Sequence, residues 1–482
     1  MPGLSLMDTA FVWFESDETP MHVTGLVFLQ PPKDETEGFA RRLYSWLLMQ
    51  DEVAPPFCWR LNMKYSNLPD WKVSDAVQLD DHVRLETMAE PGDRSQLMAL
   101  VARYHARRLD RSRPPWELLL IDGLEDGQIA LAVKVHHALA DGMRASGIFI
   151  NSCSESPDEI VKPFWTQSLV PEKCEDDEVG MVEAWLDAVY KLSKQAFTLP
   201  GLFRIGSTLA MSALNLKPSA LTTPFTAPKT AFNRKPEQGR SICVGRFPLA
   251  SFKQISRLTG ASMNDVALAV CDIALQRYLK AQDMQPGKPL VALMPVNLRK
   301  EGDIHSACNK MSIGLVEMGK PEDTPLERLA AIQASSKGVK EEALDLSPKA
   351  YVNYSILVNA AALLGGKLNV NGVVPPASNL IISNLPGPQS PRYFMGARMT
   401  EVYPLSLLLP GQSLNITLYS YDGWVHFGLV GCNTSLPEFE QISGYLTEAM
   451  AGLEQDVLNT AVNLVTDQLL LIQEDDTSSV SD

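Results

Sequence analysis

Gln128-Ile129-Ala130-Leu131-Ala132-Val133-Lys134-Val135-His136-His137-Ala138-Leu139-Ala140-Asp141-Gly142 is the stretch on which the reading of this chain turns. Its apolar Ile129, Leu131, Val133 and Val135 alternate with smaller or polar residues, which predicts a half-buried strand ending at the histidines. Beyond it, Asp141 is a good helix N-cap and Met143 to Ile150 carries apolar residues at helical spacing. A strand, a tight loop and a helix therefore meet here. Neighbours on an extended backbone point to opposite faces, so His136 and His137 do not both line one pocket, and one of them is structural. His137 and Asp141 stand in H-x-x-x-D spacing, and Gly142 gives the backbone room to turn or a neighbour room to approach. A neutral imidazole titrates near physiological pH and suits a general base that takes a proton from a hydroxyl or amine. The same residues also fit a buried, hydrogen-bonded histidine pair with Asp141 as a helix cap.

Working outward, 482 residues imply two domains of ordinary size or one bilobed unit, and 45% hydrophobic content is ample for real cores. A net charge of -15 and a pI near 5.0 argue against a nucleic-acid partner, which needs a concentrated basic surface. The seven cysteines are scattered and never in C-x-x-C spacing, so neither a disulfide framework nor a metal site is indicated, and a reducing cytoplasm is the simplest setting. Met1 to Glu18 lacks the pattern of a secretory signal, and no run of about twenty apolar residues reads as a spanning helix.

Upstream, helical spacing covers Leu4 to Glu15, Phe39 to Leu48 and Asp93 to Leu109, with an irregular stretch from Pro55 to Pro69. Leu118 to Ile121 reads as a buried strand just after Pro115-Trp116, where Trp116 is either core packing or a substrate contact. Downstream, Asn151 to Asp187 holds ten acidic residues against two lysines, whereas Ala188 to Pro236 holds no acid and seven basic residues among many apolar ones. That second segment either lies on an anionic lipid surface or forms inter-domain helices whose basic face meets the acidic bulk. Further strands are expected at Ile242 to Phe247, Leu290 to Val296 and Leu380 to Leu385, and a hairpin at Asp422-Gly423. Ser262 or Asn264 caps a helix over Val266 to Leu279. Ala350 to Leu364 reads as a small-residue helix, and the tail from Gln473 as disordered.

Several of these segments resemble the wax ester synthase/diacylglycerol acyltransferase family of the CoA-dependent acyltransferase superfamily. His136-His137-Ala138-Leu139-Ala140-Asp141-Gly142 matches its HHxxxDG signature. Pro20 to Val23, Pro115-Trp116, Asn264-Asp265, Val296 to Arg299 and Ser383-Asn384-Leu385-Pro386-Gly387-Pro388 resemble its other motifs in the same order. Two positions depart from the pattern: Pro115 replaces the usual Leu of the PLW segment, and Cys308 replaces a Gly, leaving the local backbone there open.

The resemblance implies an α/β fold of two chloramphenicol-acetyltransferase-like lobes, each a mixed sheet backed by helices, with an active-site tunnel at their interface. The expected division is an N-terminal lobe over 1–165, a helical crossover over 166–236 and a C-terminal lobe over 237–482. It further implies an O-acyltransferase that moves a long-chain acyl group from acyl-CoA to a fatty alcohol or diacylglycerol, with acyl-CoA as substrate and no cofactor or metal. His137 is then the general base, with no acyl-enzyme, and His136 packs behind the loop. Asp141 is held by Arg299, Gly142 opens the turn, and Asn264 stands near the base. Ser383 and Asn384 are donor candidates for the developing oxyanion, and Trp116 is a substrate-contact candidate. The expected setting is cytoplasmic, peripheral to the inner membrane face or to lipid inclusions. A condensation-type enzyme with an amine acceptor or carrier-bound donor, or a non-catalytic lipid binder, is the alternative.

Overall fold

The computed structural model describes residues 4, 6–63, 69–140, 142–168, 224–297, 311–345, 365–366 and 375–478. The N-terminal half contains helices α1 (Leu6–Phe14), α2 (Phe39–Leu48), α3 (Arg94–Ala106) and α4 (Gly142–Ile150). Its strands are β1 (His22–Gln30), β2 (Trp59–Asn62), β3 (Asp70–Val73), β4 (Val83–Thr87), β5 (Trp116–Asp122) and β6 (Ile129–His136). After the crossover come β7 (Arg240–Pro248), α5 (Leu249–Thr259), α6 (Met263–Ala281), β8 (Val291–Asn297), β9 (Met311–Glu317) and α7 (Pro325–Asp345). Then follow β10 (Leu380–Pro386), β11 (Tyr393–Phe394), β12 (Ala397–Leu405), β13 (Leu414–Tyr421), β14 (Trp424–Cys432) and α8 (Gln441–Ser478).

Two six-stranded mixed sheets organise these elements, in the orders β11-β12-β1-β6-β5-β4 and β7-β14-β13-β10-β8-β9. The motif strand β6 is central in the first, antiparallel to β1 with His136 opposite His22, and antiparallel to β5 with Val135 opposite Trp116. It is buried on both faces rather than half-buried. Lys134, whose charge suggests a solvent-facing position, is fully buried, and its ammonium donates to the carbonyls of Tyr104 and Arg107, each at 2.8 Å. Carbonyls at the end of α3 thus replace the water that a lysine normally needs.

Sheet membership does not follow the division at residue 237. Strands β11 and β12 come from the C-terminal half, yet β12 pairs antiparallel with β1 from Thr24↔Leu405 to Gln30↔Arg398 and closes the first sheet. The two lobes also share a core in which Leu97, Val101, Leu119 and Ile121 pack with Ile242, Leu408, Val430 and Cys432. Helix α6 is buried nearly all round, consistent with its place between α5, α7 and α8.

Two further expectations are corrected. The irregular stretch from Pro55 contains β2, which pairs with β3 while Trp59 and Trp71 approach to 6.3 Å between ring centres. The tail is helical through Ser478, because extending an established helix fixes only one residue per hydrogen bond gained. Among the described residues no single helix is long and apolar enough to cross a membrane. The pair α5 and α6 passes that test jointly, but it is bent by 105°. The segments 188–223 and 350–364 lie outside the described residues.

Candidate active site

β6 ends at His136, where the backbone turns into α4, and the two histidines part company. His136 is 1% exposed. Its Nδ1 accepts from the Ala138 N–H at 3.1 Å, which leaves its proton on Nε2, the nitrogen 3.6 Å from Glu15 Oε1. Burial pushes its pKa down to about 4, and the Glu15 carboxylate opposes only part of that shift. His136 is therefore a neutral, inward-facing residue. His137 is only half-buried. Its N–H donates to the Met21 carbonyl at 2.8 Å, and its ring centre lies 4.2 Å from that of Phe11 on α1. The strand-to-helix turn thus presents one imidazole to the interior and the other toward α1.

Across the lobe interface, the end of β10 faces this turn. A Cβ added at Gly142 would meet Leu385 Cδ1 at 3.6 Å, so the start of α4 abuts the Ser383-Asn384-Leu385 strand end. Asn384 Nδ2 donates to Asn264 Oδ1 at 2.5 Å, which joins the two asparagine-bearing segments. Asn264 is free to do this because Ser262 is the actual N-cap of α6, in a capping box with Asp265. Asp265 is further bonded by Ser336 and is structural. Ser383 is half-buried within β10, beside Thr417 of β13. Asp141 and Arg299, and with them the expected aspartate–arginine pair, lie outside the described residues, as does Cys308.

Trp116 is a core residue. It is fully buried, its indole N–H donates to the Phe57 carbonyl at 2.9 Å, and it stacks between His82 and Trp165. A cavity of about 220 Å³ opens beside it. The rim is ionic, with Arg107 paired to Glu117 at 2.8 Å and Arg113 to Asp81 at 2.9 Å, unlike the apolar wall that a long acyl chain needs. Among the described residues no group of three His, Cys, Asp or Glu side chains could hold a metal.

Two contributors escape a reading of the sequence by motif. Phe11 looks like one more apolar position on a helix, and Glu15 like the polar residue that ends it. The available signal is that a carboxylate follows the apolar run Ala10 to Phe14, and Glu15 is 8% exposed in the fold.

Comparison with known proteins bears on this arrangement. Residues 4–267 match the family model for the wax ester synthase/diacylglycerol acyltransferase catalytic domain, and residues 307–454 match the corresponding C-terminal domain. A Mycobacterium bovis protein named as a diacylglycerol O-acyltransferase is 34% identical over 453 residues, covering 93% of this chain and 98% of that one. The O-acyltransferase WSD of Acinetobacter baylyi is 29% identical over 453 residues, covering 93% and 96%. The solved wax ester synthase/diacylglycerol acyltransferase from Marinobacter aquaeolei VT8 superposes with a TM-score of 0.77 at 30% identity, covering 95% of this chain and all of that one. A condensation domain of the calcium-dependent antibiotic synthetase shares the fold at a TM-score of 0.53 and 14% identity, covering 95% and 96%.

Proposed function

Because the chain belongs to the wax ester synthase/diacylglycerol acyltransferase family and is an acyltransferase, we propose that it transfers a long-chain acyl group from acyl-CoA directly to the hydroxyl of a fatty alcohol or diacylglycerol. His137 is the general base. As the acceptor oxygen attacks the thioester carbonyl carbon, the imidazole takes the hydroxyl proton and a tetrahedral oxyanion forms. The oxyanion collapses with cleavage of the carbon–sulfur bond, and the imidazolium returns its proton to the departing CoA thiolate. No acyl-enzyme is needed.

The observation that carries this reading is the division of labour within the motif: His136 is buried and neutral, whereas His137 is half-buried at the turn that abuts β10. General-base assistance accounts for about 10²–10⁴ in rate. Donors in the region of Ser383, Asn384 and Asn264 supply electrostatic stabilisation, where one donor is worth roughly 10²–10³. The bond between Asn264 and Asn384 supports this by holding both amides in a set direction. Water-insoluble acceptors make a peripheral lipid surface the natural place of work, and the basic, apolar segment 188–236 is the sequence feature suited to it.

The test is CoA release by the purified protein from palmitoyl-CoA with hexadecanol, a diacylglycerol or hexadecylamine, alongside His137→Ala. Release that depends on a hydroxyl acceptor and falls by at least about 10²-fold in the folded variant is expected. Release that survives His137→Ala would remove the base assignment. Release with the amine alone would move the protein to amide formation.

A further inference from the structure

We propose that Glu15 is a positioning residue for the transfer reaction: a buried carboxylate, clamped by Arg111, that holds the backbone of His137 through Met21 and places its charge beside His136. The proposal rests on the reading of His137 as the base, but it concerns Glu15 and Arg111, which lie outside the HHxxxDG segment and the other motif segments.

The side chain of Glu15 is 1% exposed, an environment that a carboxylate tolerates only when paired and bonded. Arg111 supplies the pairing, with its Nε donating to Glu15 Oε2 at 2.9 Å and its second guanidinium nitrogen 2.8 Å from the same oxygen. That nitrogen also donates to the Val12 carbonyl at 2.9 Å, so the guanidinium holds the end of α1 as well as the carboxylate. The other oxygen, Oε1, faces the motif. It accepts from the Met21 N–H at 3.2 Å, and the carbonyl of Met21 receives the His137 N–H. It also stands 3.6 Å from His136 Nε2, the nitrogen that carries the proton once Nδ1 accepts from Ala138. One oxygen thus holds the backbone of His137 through Met21, the residue just before β1, and sets a negative charge beside His136 at a distance beyond a hydrogen bond. Phe11, one helical turn before Glu15 and joined to it by the Glu15 N–H to Phe11 carbonyl bond at 3.2 Å, packs against the His137 ring with the two planes tilted by 38°.

A carboxylate that merely glued α1 to the 107–113 loop would need only Arg111. The nearby surface pair of Arg108 and Asp17 at 2.8 Å has that form, with Asp17 62% exposed. Glu15 differs in turning its second oxygen inward. A base displaced by as little as 1 Å loses on the order of 10²-fold in rate without losing its substrate.

The experiment uses the full chain with Glu15→Gln, and with Asp17→Asn as comparison. Glu15→Gln keeps the size and one acceptor oxygen but removes the charge. Its kcat for acceptor-dependent CoA release should fall on the order of 10²-fold, with KM for palmitoyl-CoA little changed and thermal unfolding within a few degrees of the parent. Asp17→Asn should match the parent in all three. An unchanged kcat in Glu15→Gln, or an equal loss in Asp17→Asn, would overturn the proposal.

Histidine-ring nitrogen spectra of the same proteins decide the matter independently of turnover. The His136 and His137 signals should move in Glu15→Gln while His426 stays, and identical spectra would overturn the proposal even if the parent released no CoA. That last result would count separately against the acyl-transfer reading. Should Glu15→Gln not fold, Arg111→Lys, which keeps the charge but not the two-pronged grip, carries the same two measurements with the same expected directions.

Discussion

Trp116 illustrates how much one side chain can hold. It is buried against His82 and Trp165, bonded to the Phe57 carbonyl, and with Trp165 is among the largest fully buried side chains of the first lobe's core. Trp116→Ala should cost about 3–5 kcal/mol by emptying that site, read as a lowered denaturation midpoint. A variant with an unchanged midpoint but a raised KM for acyl-CoA would instead make Trp116 a substrate contact. At this scale the sequence was legible where chemistry and spacing coincide, as in the parting of His136 from His137. It was opaque where a residue's partner is a backbone atom. Lys134 looked like a solvent-facing position because nothing in its own neighbourhood announces that the carbonyls of Tyr104 and Arg107 will receive its ammonium. Glu15 was hidden because one partner is the Met21 backbone N–H and the other, the Arg111 guanidinium, stands 96 residues along the chain.

Single elements were easiest to read where a turn residue dictates the backbone. Asp422 and Gly423 both adopt left-handed φ, 45° and 79°, between β13 and β14, which is the geometry that an Asp-Gly hairpin demands. Helix α2 runs over the span its periodicity suggested, Phe39–Leu48. Strands β2 and β3 were obscured by the prolines around them and by their shortness. The turn after β10 shows a different constraint. A Cβ at Gly387 would stand 2.4 Å from Tyr419 Cζ and 2.5 Å from the Ser420 carbonyl oxygen, so only glycine lets the chain lie flat on β13. Gly387→Ala should push the end of β10 away and carry Asn384 off Asn264. The expected result is a fall in kcat on the order of 10²-fold with the protein still folded, and a parent-like kcat would show that the Asn384 position does not matter to the reaction.

For the whole molecule, the buried histidines set an acid limit. Burial is the largest cause in each case, and it lowers His105 to about 3 and both His136 and His426 to about 4. Their folded values lie below the ordinary value near 6.5. The stability they allow is therefore fully present above about pH 6.5 and is lost as pH falls toward 4, where the unfolded chain takes up protons that the folded one refuses. Urea midpoints at pH 7.5, 6 and 5 should fall in that order, and a flat series would mean that the three rings are solvated. The mixed sheets and the two-lobed plan were foreseeable from the family resemblance, with chain length alone pointing only to two domains or one bilobed unit. The pairing of β1 with β12 was not, because no local pattern reports a partner some 370 residues along the chain.

That pairing has a consequence for the chain as it is made. Strand β1 leaves the ribosome well ahead of both its partners, and β6, which ends at His136, can cover one of its edges first. Its other edge must wait for Ala397–Leu405, which at about 5–20 residues per second means on the order of 20–75 seconds. Throughout that interval an apolar strand offers a row of unpaired backbone groups to any passing chain. The newborn protein thus carries an open strand edge through the long stretch of translation between a strand and its mate.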